Sequence, residues 1–431
     1  MFRNMQQFPG RLNFLNISAG DAPGTLSVCS SHPAVLQTAM AMAARENRPF
    51  LVEATASQVN QFGGYSGMTP AAFAAYVRQL AETAGLSKDR IVIGADHLGP
   101  HVWKHESAAV AMAKSIELAR ECVAAGFKKI HIDTDIPCAD DPSGKLNPET
   151  AARRAAALCL EAEITASHTT FRDDDLPVYV IGNEVPSPGG SLESALSITD
   201  PDTLLSSLKL FERIFLEMNL ADAWRRVIAI VVQPGVDFGN QRIAIYRRER
   251  AAALSNAFRN LPEGMRFEIH STDFQPPEAL RQMVEDHFSL IKAGPCLTFA
   301  FRKATLALEH IETELPDIQR RSHLRQVMTV LMNQEPRHWK PHYQGSPETI
   351  RFLQYFSYKD RIRYYWNRPE AMDAAKRLYH NLRRPIPDAL VQQYLPDIYS
   401  EIKSGVIPSD PLSIIRHYIQ NALKPYRDAC M

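Results

Sequence analysis

The sequence predicts an α/β protein: a (β/α)8 barrel of the TIM type, followed by a C-terminal helical extension. Three observations predict it. Eight short apolar runs recur up to residue 315, each leading into a segment with apolar residues at helical spacing. Polar, chemistry-bearing residues stand at the C-terminal ends of those runs, where barrels of this kind carry their sites. From Asp317 onward the pattern is helical and richer in Tyr, Trp and Arg. The expected division is therefore a barrel over 1–315 and, over 316–431, an extension packed on it.

The elements follow in order. Residues 26–29 read as the first strand, ending in Ser30-Ser31-His32; Pro33 suits the first turn of a helix, and His32 is placed to cap it. Residues 50–55 form the second strand and carry Glu53; the loop Asn60-Gln61-Phe62-Gly63-Gly64-Tyr65 after it offers amides and two glycines. Thr69-Pro70 is a cap followed by proline at N1, Phe73, Val77, Leu80 and Ala84 repeat at helical spacing, and Gly85 stops the helix. Ile91-Val92-Ile93 starts the third strand, which passes through Gly94-Ala95 to Asp96-His97 and halts at Gly99-Pro100. The helix after it has Met112, Ile116, Ala119 and Val123 on one face and Gly126 as its stop. The fourth strand, 129–134, holds His131 and Asp133 two apart and therefore on one side. Asn147-Pro148 opens the next helix, 178–184 is a fifth strand ending in Glu184, and Asp200-Pro201 opens the helix beyond it. Strands over 227–235, 266–270 and 288–292 and a helix over 297–315 complete the count. An open doubly wound sheet is disfavoured, because the first strand lacks a Gly-rich phosphate turn and the strands number eight.

Composition narrows the function. Lys+Arg and Asp+Glu are both 48 and no long basic block appears, which argues against nucleic acid and acidic membrane surfaces as partners. The six cysteines include no C-x-x-C pair, so no zinc ribbon or thioredoxin-like site is indicated, and scattered thiols suit a reducing cytoplasm. No signal-like leader and no apolar run of ~20 residues is present, so a cytoplasmic location is expected. No G-x-x-x-x-G-K-[ST] loop occurs, so no nucleotide cofactor is expected.

Chemistry collects at the strand ends. His32, His97, His131 and His270 fall in or just after strands, as do Glu53, Asp96, Asp133, Glu184 and Asp273. Apolar barrel layers do not need these groups, and burying them unpaired is costly. Taken singly, His32 can be a cap and Asp273 a turn residue; gathered at one rim, they favour a site. Imidazole and carboxylate from different strands suit a divalent metal, Zn²⁺ or Mn²⁺, while a metal-free reading makes His97 and Glu184 acid/base partners. Ser271 and Gly294 follow strands seven and eight, where barrels bind phosphate through backbone N–H groups, and Arg302 adds charge nearby. Lys292 is a weak candidate for a Schiff base.

The stretches CSSHP, EATASQVNQFGGYSGMTP, GADHLGP, KIHID, IGNEVPSPGG, VVQPGV, EIHSTDFQ, AGPCLTFA and DRIRYYW resemble the Z-type, non-catalytic subunit family of class II tagatose-1,6-bisphosphate aldolase, which also carries the older label tagatose-6-phosphate kinase. The resemblance runs from Leu26 nearly to the C-terminus, and some relatives are metal-dependent 4-epimerases of ketohexoses or ketohexuronates. It implies an aldolase-like barrel and a sugar-phosphate substrate. Asp96-His97 looks like the Asp-His pair of catalytic class II aldolases, in which His binds zinc and Asp moves the proton. On this basis His97 and His270, with Glu184 third, are expected metal ligands, and Asp96, Glu53, Glu184 and Asp133 catalytic groups. His131, Ser271, Asp273, Gly294, Asn60, Gln61 and Arg302 are expected to meet the substrate. The expected activity is interconversion of D-tagatose 6-phosphate and D-fructose 6-phosphate at C4 by retro-aldol and aldol steps. The alternative is a non-catalytic partner that stabilises a class II aldolase catalytic subunit, with Tyr364-Tyr365-Trp366 as its docking surface.

Overall fold

The computed structural model describes residues 24–169, 176–182 and 196–431. Eight parallel strands close into a barrel: β1 (Thr25–Val28), β2 (Phe50–Thr55), β3 (Ile91–Leu98), β4 (Lys129–Ile132), β5 (Val178–Ile181), β6 (Val227–Val231), β9 (Arg266–Ile269) and β10 (Leu290–Ala293), with β10 pairing back onto β1. The two remaining strands, β7 (Asp237–Phe238) and β8 (Ile243–Ala244), make a small antiparallel ribbon between β6 and β9.

Crossover helices wrap the barrel: α1 (Pro33–Arg45), α2 (Pro70–Ala84), α3 (Ala108–Ala124), α4 (Pro148–His168), α5 (Pro201–Glu217), α7 (Arg248–Ala257), α8 (Pro277–Glu285) and α9 (Pro295–Glu314); the one-turn α6 (Ala221–Trp224) leads into β6. The expected caps are formed, with Thr69, Asn147 and Asp200 accepting from backbone N–H groups of the first turn. His32, by contrast, makes no side-chain cap bond.

Several strands end earlier than their apolar pattern, because the polar residues after them leave the ladder and turn inward over the barrel mouth. Inside the barrel, side chains alternate with period two. Leu51, Val92, Val178 and Leu290 belong to an apolar cluster separate from the main core. Two residues further along, the inward face carries Glu53 on β2, Gly94 on β3 and Lys292 on β10, and Lys129 on β4 is in register with Gly94. Gly94 has a specific reason to lack a side chain. A Cβ there would lie 2.8 Å from the Glu53 side chain and 3.3 Å from that of Lys129.

The strand that carries Asp96-His97 is locally broken. Its register against β4 shifts between Ala95 and Leu98, and His97 has φ +51°. Alternation alone would turn Asp96 and His97 to opposite faces. The irregularity and the left-handed residue let both contribute to the mouth, at the cost of strain typical of functional sites.

Gly99 follows, and a Cβ on it would sit 1.6 Å from the Asp133 carbonyl oxygen. That contact is with backbone, so neither side can yield cheaply. Gly99→Ala is expected to destabilise the fold by about 3 kcal/mol or more, read as a lowered denaturation midpoint. A midpoint equal to wild type would refute this account of the β3–β4 approach.

Beyond α9 the chain is helical: α10 (Leu324–Gln334), α11 (Pro347–Phe356), α12 (Pro369–Asn381), α13 (Asp388–Tyr394), α14 (Tyr399–Lys403) and α15 (Pro411–Ala429). α15 lies against α1, α8 and α9, burying Ile414, Ile415, Ile419 and Leu423. Among the described residues, no helix is long and apolar enough to cross a membrane. All six cysteines are free thiols.

Candidate active site

The barrel interior holds two polar storeys above its apolar floor. In the lower one, Lys129 bridges Glu53 (2.8 Å) and Glu268 (2.6 Å), and Lys292 reaches Glu268 (2.9 Å), Glu53 (3.3 Å) and Asp96. Ser27 donates to Glu53 at 2.6 Å. All of these side chains are buried. Burial alone would discharge Lys292, but Asp96, Glu268 and Glu53 outweigh it and hold its pKa well above the usual lysine value. An amine so held stays protonated, which removes the free base that Schiff-base chemistry needs.

The upper storey is a triangle of histidines. The rings of His97, His131 and His270 stand 5.0–5.1 Å apart, each roughly edge-on to the others. Every ring has one nitrogen against a carboxylate: His97 Nδ1 on Asp133 (2.7 Å), His131 Nδ1 on Asp96 (2.7 Å) and His270 Nε2 on Glu268 (2.9 Å), and the backbone N–H of His97 also points at His131 Nδ1 (3.1 Å). The opposite nitrogens of two of them, His131 Nε2 and His270 Nδ1, are buried without any hydrogen-bond partner among the described residues. That of His97 has only Asp96, at 3.7 Å.

This pattern fits a divalent cation. A metal-binding histidine almost always gives its second ring nitrogen to a carboxylate or carbonyl, which fixes the tautomer and frees the first. A buried ring nitrogen left without a partner costs about 1–3 kcal/mol, and ligation relieves that cost. Ligand atoms of Asp96, His97 and His131, and of His131, Glu268 and His270, lie within 4.8 Å of one another in each set. Charge points the same way. The four carboxylates Asp96, Asp133, Glu53 and Glu268 share Lys129 and Lys292 as permanent cations, and His97, whose pKa they raise, offsets part of the negative charge left over.

Protonation supports this reading at His131 and His270, whereas at His97 a cation has to displace a proton. Burial, and next the Lys292 ammonium, holds His131 below the usual histidine value and His270 down to about 3, so both are neutral electron-pair donors near pH 7. Burial opposes protonation of His97 too, but Asp96 and Asp133 outweigh it and raise its pKa. Asp133 is pulled down to about 2, the His97 hydrogen bond and charge overcoming burial.

A cavity of about 470 Å³ opens above the histidines, a size suited to a small-molecule substrate. Asp96, His97, His270, Ser271, Asp273, Lys292 and Gly294 line it. Asp273 accepts from the backbone N–H groups of Gly294 (3.0 Å) and Cys296 (2.8 Å), yet burial outweighs them and raises its pKa. His131 lies behind the wall, fully buried.

Other residues singled out from sequence are placed elsewhere. Glu53 lies in the ionic storey and does not reach the cavity. Asn60 ties its own loop, bonding Ala56, Phe62 and Gly64, and Gln61 donates to the Lys114 carbonyl; Gln58 and Tyr65 of the same loop line the cavity instead. Arg302 is buried in an ion pair with Asp360 at 2.6 Å and points into the extension. Glu184 lies outside the described residues.

Lys129, Glu268, Arg361 and Arg363 were not anticipated from sequence as site residues. The first two share the inward parity of His131 and His270, which is the signal that could have found them.

The comparisons agree with this architecture. Residues 14–431 match the family model described as D-tagatose-1,6-bisphosphate aldolase subunit GatZ/KbaZ-like. The chain belongs to this family. A probable tagatose 6 phosphate kinase from Sinorhizobium meliloti 1021 shares 40% identity with this GatZ/KbaZ-like chain, covering 94% of it and 100% of its own chain at a TM-score of 0.85. Two solved structures align more loosely. The fructuronate-tagaturonate epimerase UxaE from Cohnella laeviribosi has 12% identity, 96% and 84% coverage and a TM-score of 0.47. The fructose-bisphosphate aldolase of Campylobacter jejuni has 14% identity, 84% and 90% coverage and a TM-score of 0.43. Neither bears on the activity of the GatZ/KbaZ-like chain.

Proposed function

We propose that this chain is a metal-dependent ketose 6-phosphate 4-epimerase, interconverting D-tagatose 6-phosphate and D-fructose 6-phosphate. The observation that carries the reading is the triangle of carboxylate-backed histidines beneath a cavity walled by Asp96 and Asp273. His97 and His270 are the first-choice ligands, with His131, which shares a set of close ligand atoms with each of them, and Glu184 as further candidates. A divalent cation bound there supplies Lewis acidity toward the C2 oxygen of the substrate.

The C4 hydrogen is not α to the C2 carbonyl, so simple proton exchange cannot invert C4. Cleavage can. A base takes the C4 hydroxyl proton, the C3–C4 bond breaks, and its electron pair passes into an enediolate over C2 and C3. The C4–C6 aldehyde presents its other face, the bond re-forms, and the new C4 alkoxide takes a proton.

Two proton carriers are needed, and the cavity wall offers Asp96 and Asp273. Burial works against ionisation of Asp96, but His97 and Lys292 outweigh it and keep it a carboxylate, as a base must be. Asp273, pushed the other way, is the better proton donor. In this reading Asp273 replaces Glu53 as second carrier.

The second reading, a non-catalytic partner of an aldolase subunit, rests on the description of the family itself. One experiment separates the two. Purified protein, incubated alone with tagatose 6-phosphate and Zn²⁺ or Mn²⁺, is expected to give fructose 6-phosphate by NMR. It is also expected to carry about one divalent ion per chain, lost in His97→Ala and His270→Ala. No turnover alone, with activation of an added class II aldolase, would establish the partner role; equal metal in the His97→Ala variant would remove His97 from the ligands.

A further inference from the structure

The cavity wall opposite the barrel strands comes from the extension, and it is cationic. Arg361 and Arg363 sit on a short 3-10 turn (Arg361–Tyr365) that follows Asp360, and both line the cavity that contains Asp96, His97 and His270. Asp360 is the carboxylate next to them in the chain, but it is already engaged by Arg302 Nε and Thr298 Oγ1, each at 2.6 Å.

The hydrogen-bond partners of the two guanidiniums are neutral, and the carboxylates that Arg363 feels, Asp360 and Asp273, act on it from beyond ion-pair distance. Arg361 donates to the His338 carbonyl (3.2 Å) and the Tyr364 hydroxyl (3.1 Å), with His342 Nδ1 at 3.2 Å. Arg363 donates to the carbonyls of Lys359 and Asp360 and to the Tyr364 hydroxyl (3.2 Å). Neither forms an ion pair with a carboxylate among the described residues. Arg361 is only 7% exposed, and its Nε has no partner among the described residues. Lys104 lines the same wall. The crowding of positive charge is felt by His342, which burial, followed by Arg361, Lys359 and Arg363, pushes down to about 3.

A desolvated cation without a counter-ion is costly, and two side by side are more so. Such a pair is stable where an anion completes it, and planar guanidinium forks match the oxygens of a phosphate. We propose that Arg361 and Arg363 form the phosphate subsite of the barrel, holding the 6-phosphate of the ketose while C4 lies over the histidine triangle. This rests on the epimerase reading for the substrate, though not for the anion. Two guanidiniums with Lys104 nearby favour a phosphate dianion over a single carboxylate. The extension thereby becomes part of the substrate site, and the Ser271 and Gly294 loops are left to face the sugar.

The test uses the full chain and inorganic phosphate, followed by calorimetry. Wild type is expected to bind phosphate, Arg363→Gln to weaken that binding at least tenfold, and Arg363→Lys to recover part of it. Arg363 is hydrogen-bonded to the carbonyls of Lys359 and Asp360, to Tyr364 and to Tyr65, so a thermal melt of Arg363→Gln is recorded beside the titration, and Arg363→Lys, which keeps the charge, separates lost phosphate contact from lost structure. Phosphate binding needs no turnover, so this result stands or falls separately from the epimerase reading. Where turnover is seen, Arg363→Gln should lose far more kcat/KM on tagatose 6-phosphate than on unphosphorylated tagatose. Wild type that binds no phosphate, wild type that prefers a ketose bearing a C6 carboxylate, or an Arg363→Gln variant that binds phosphate as tightly as wild type would each overturn the proposal.

Discussion

A chain ended at Leu315 is expected to be insoluble, or to lack a cooperative melt. The barrel strands would all be present, so the reason lies on their outer layer. α9 buries Leu297, Ala300, Phe301, Ala304, Leu308 and Ile311, and α10, α12, α13 and α15 pack against it. Uncovering a large aliphatic or aromatic side chain costs roughly 1.5–3 kcal/mol, and several are uncovered together, which is comparable to the whole stability of a domain. Charges are stranded as well. Arg302 loses Asp360, and Glu312 loses the Ser322 backbone N–H (3.0 Å) together with the Asn381 amide (2.5 Å). At the other end, Tyr426 no longer donates to the Thr272 carbonyl (2.7 Å) in the loop after β9. Expression of residues 1–315, followed by solubility and thermal denaturation, checks this. A soluble barrel with a sharp melt would show that the barrel folds without 316–431 and overturn this account.

How far the sequence could be read follows from the same physics. Strand bodies were legible because runs such as Val227-Ile228-Ala229-Ile230-Val231 are buried on both faces and carry no competing signal. Strand ends were overextended at His270 and Asp133, since alternation continues into residues that have already left the ladder for the site. The ribbon of β7 and β8 passed unseen, because two-residue strands have no period to detect.

Within the site, His97, His131, His270, Asp96 and Asp133 stood out as polar groups at strand ends, and the structure gathers them. Lys129 and Glu268 did not, although each shares the inward parity of the histidine two residues on, because their counter-charges stand on other strands. Arg302 looked close to the mouth because it follows the last strand by only a few residues, but the turn of α9 aims it at Asp360. Arg361 and Arg363 lie in a helical region far along the chain, and only tertiary packing brings them over the barrel.

Asp96→Asn is expected to lose several orders of magnitude in kcat while keeping its metal and its melt. The substitution is nearly isosteric. The side-chain amide can still meet His131 Nδ1, as donor or acceptor, and accept from Lys292, so the architecture that Asp96 supports should persist. What disappears is a carboxylate on the cavity wall able to take the C4 hydroxyl proton. Loss of a general base removes an interaction made mainly in the transition state, so kcat and kcat/KM should fall together. The isotope result goes with it. Cleavage of C3–C4 keeps the C4 hydrogen on carbon throughout, so turnover in D₂O should leave C4 unlabelled, with no nucleotide added. A route that lifts and returns the C4 proton would place deuterium there, and that label would rule out the retro-aldol path. Full activity in Asp96→Asn would leave the path standing but move the base to Asp273, whose carboxyl faces the same cavity with its pKa raised by burial.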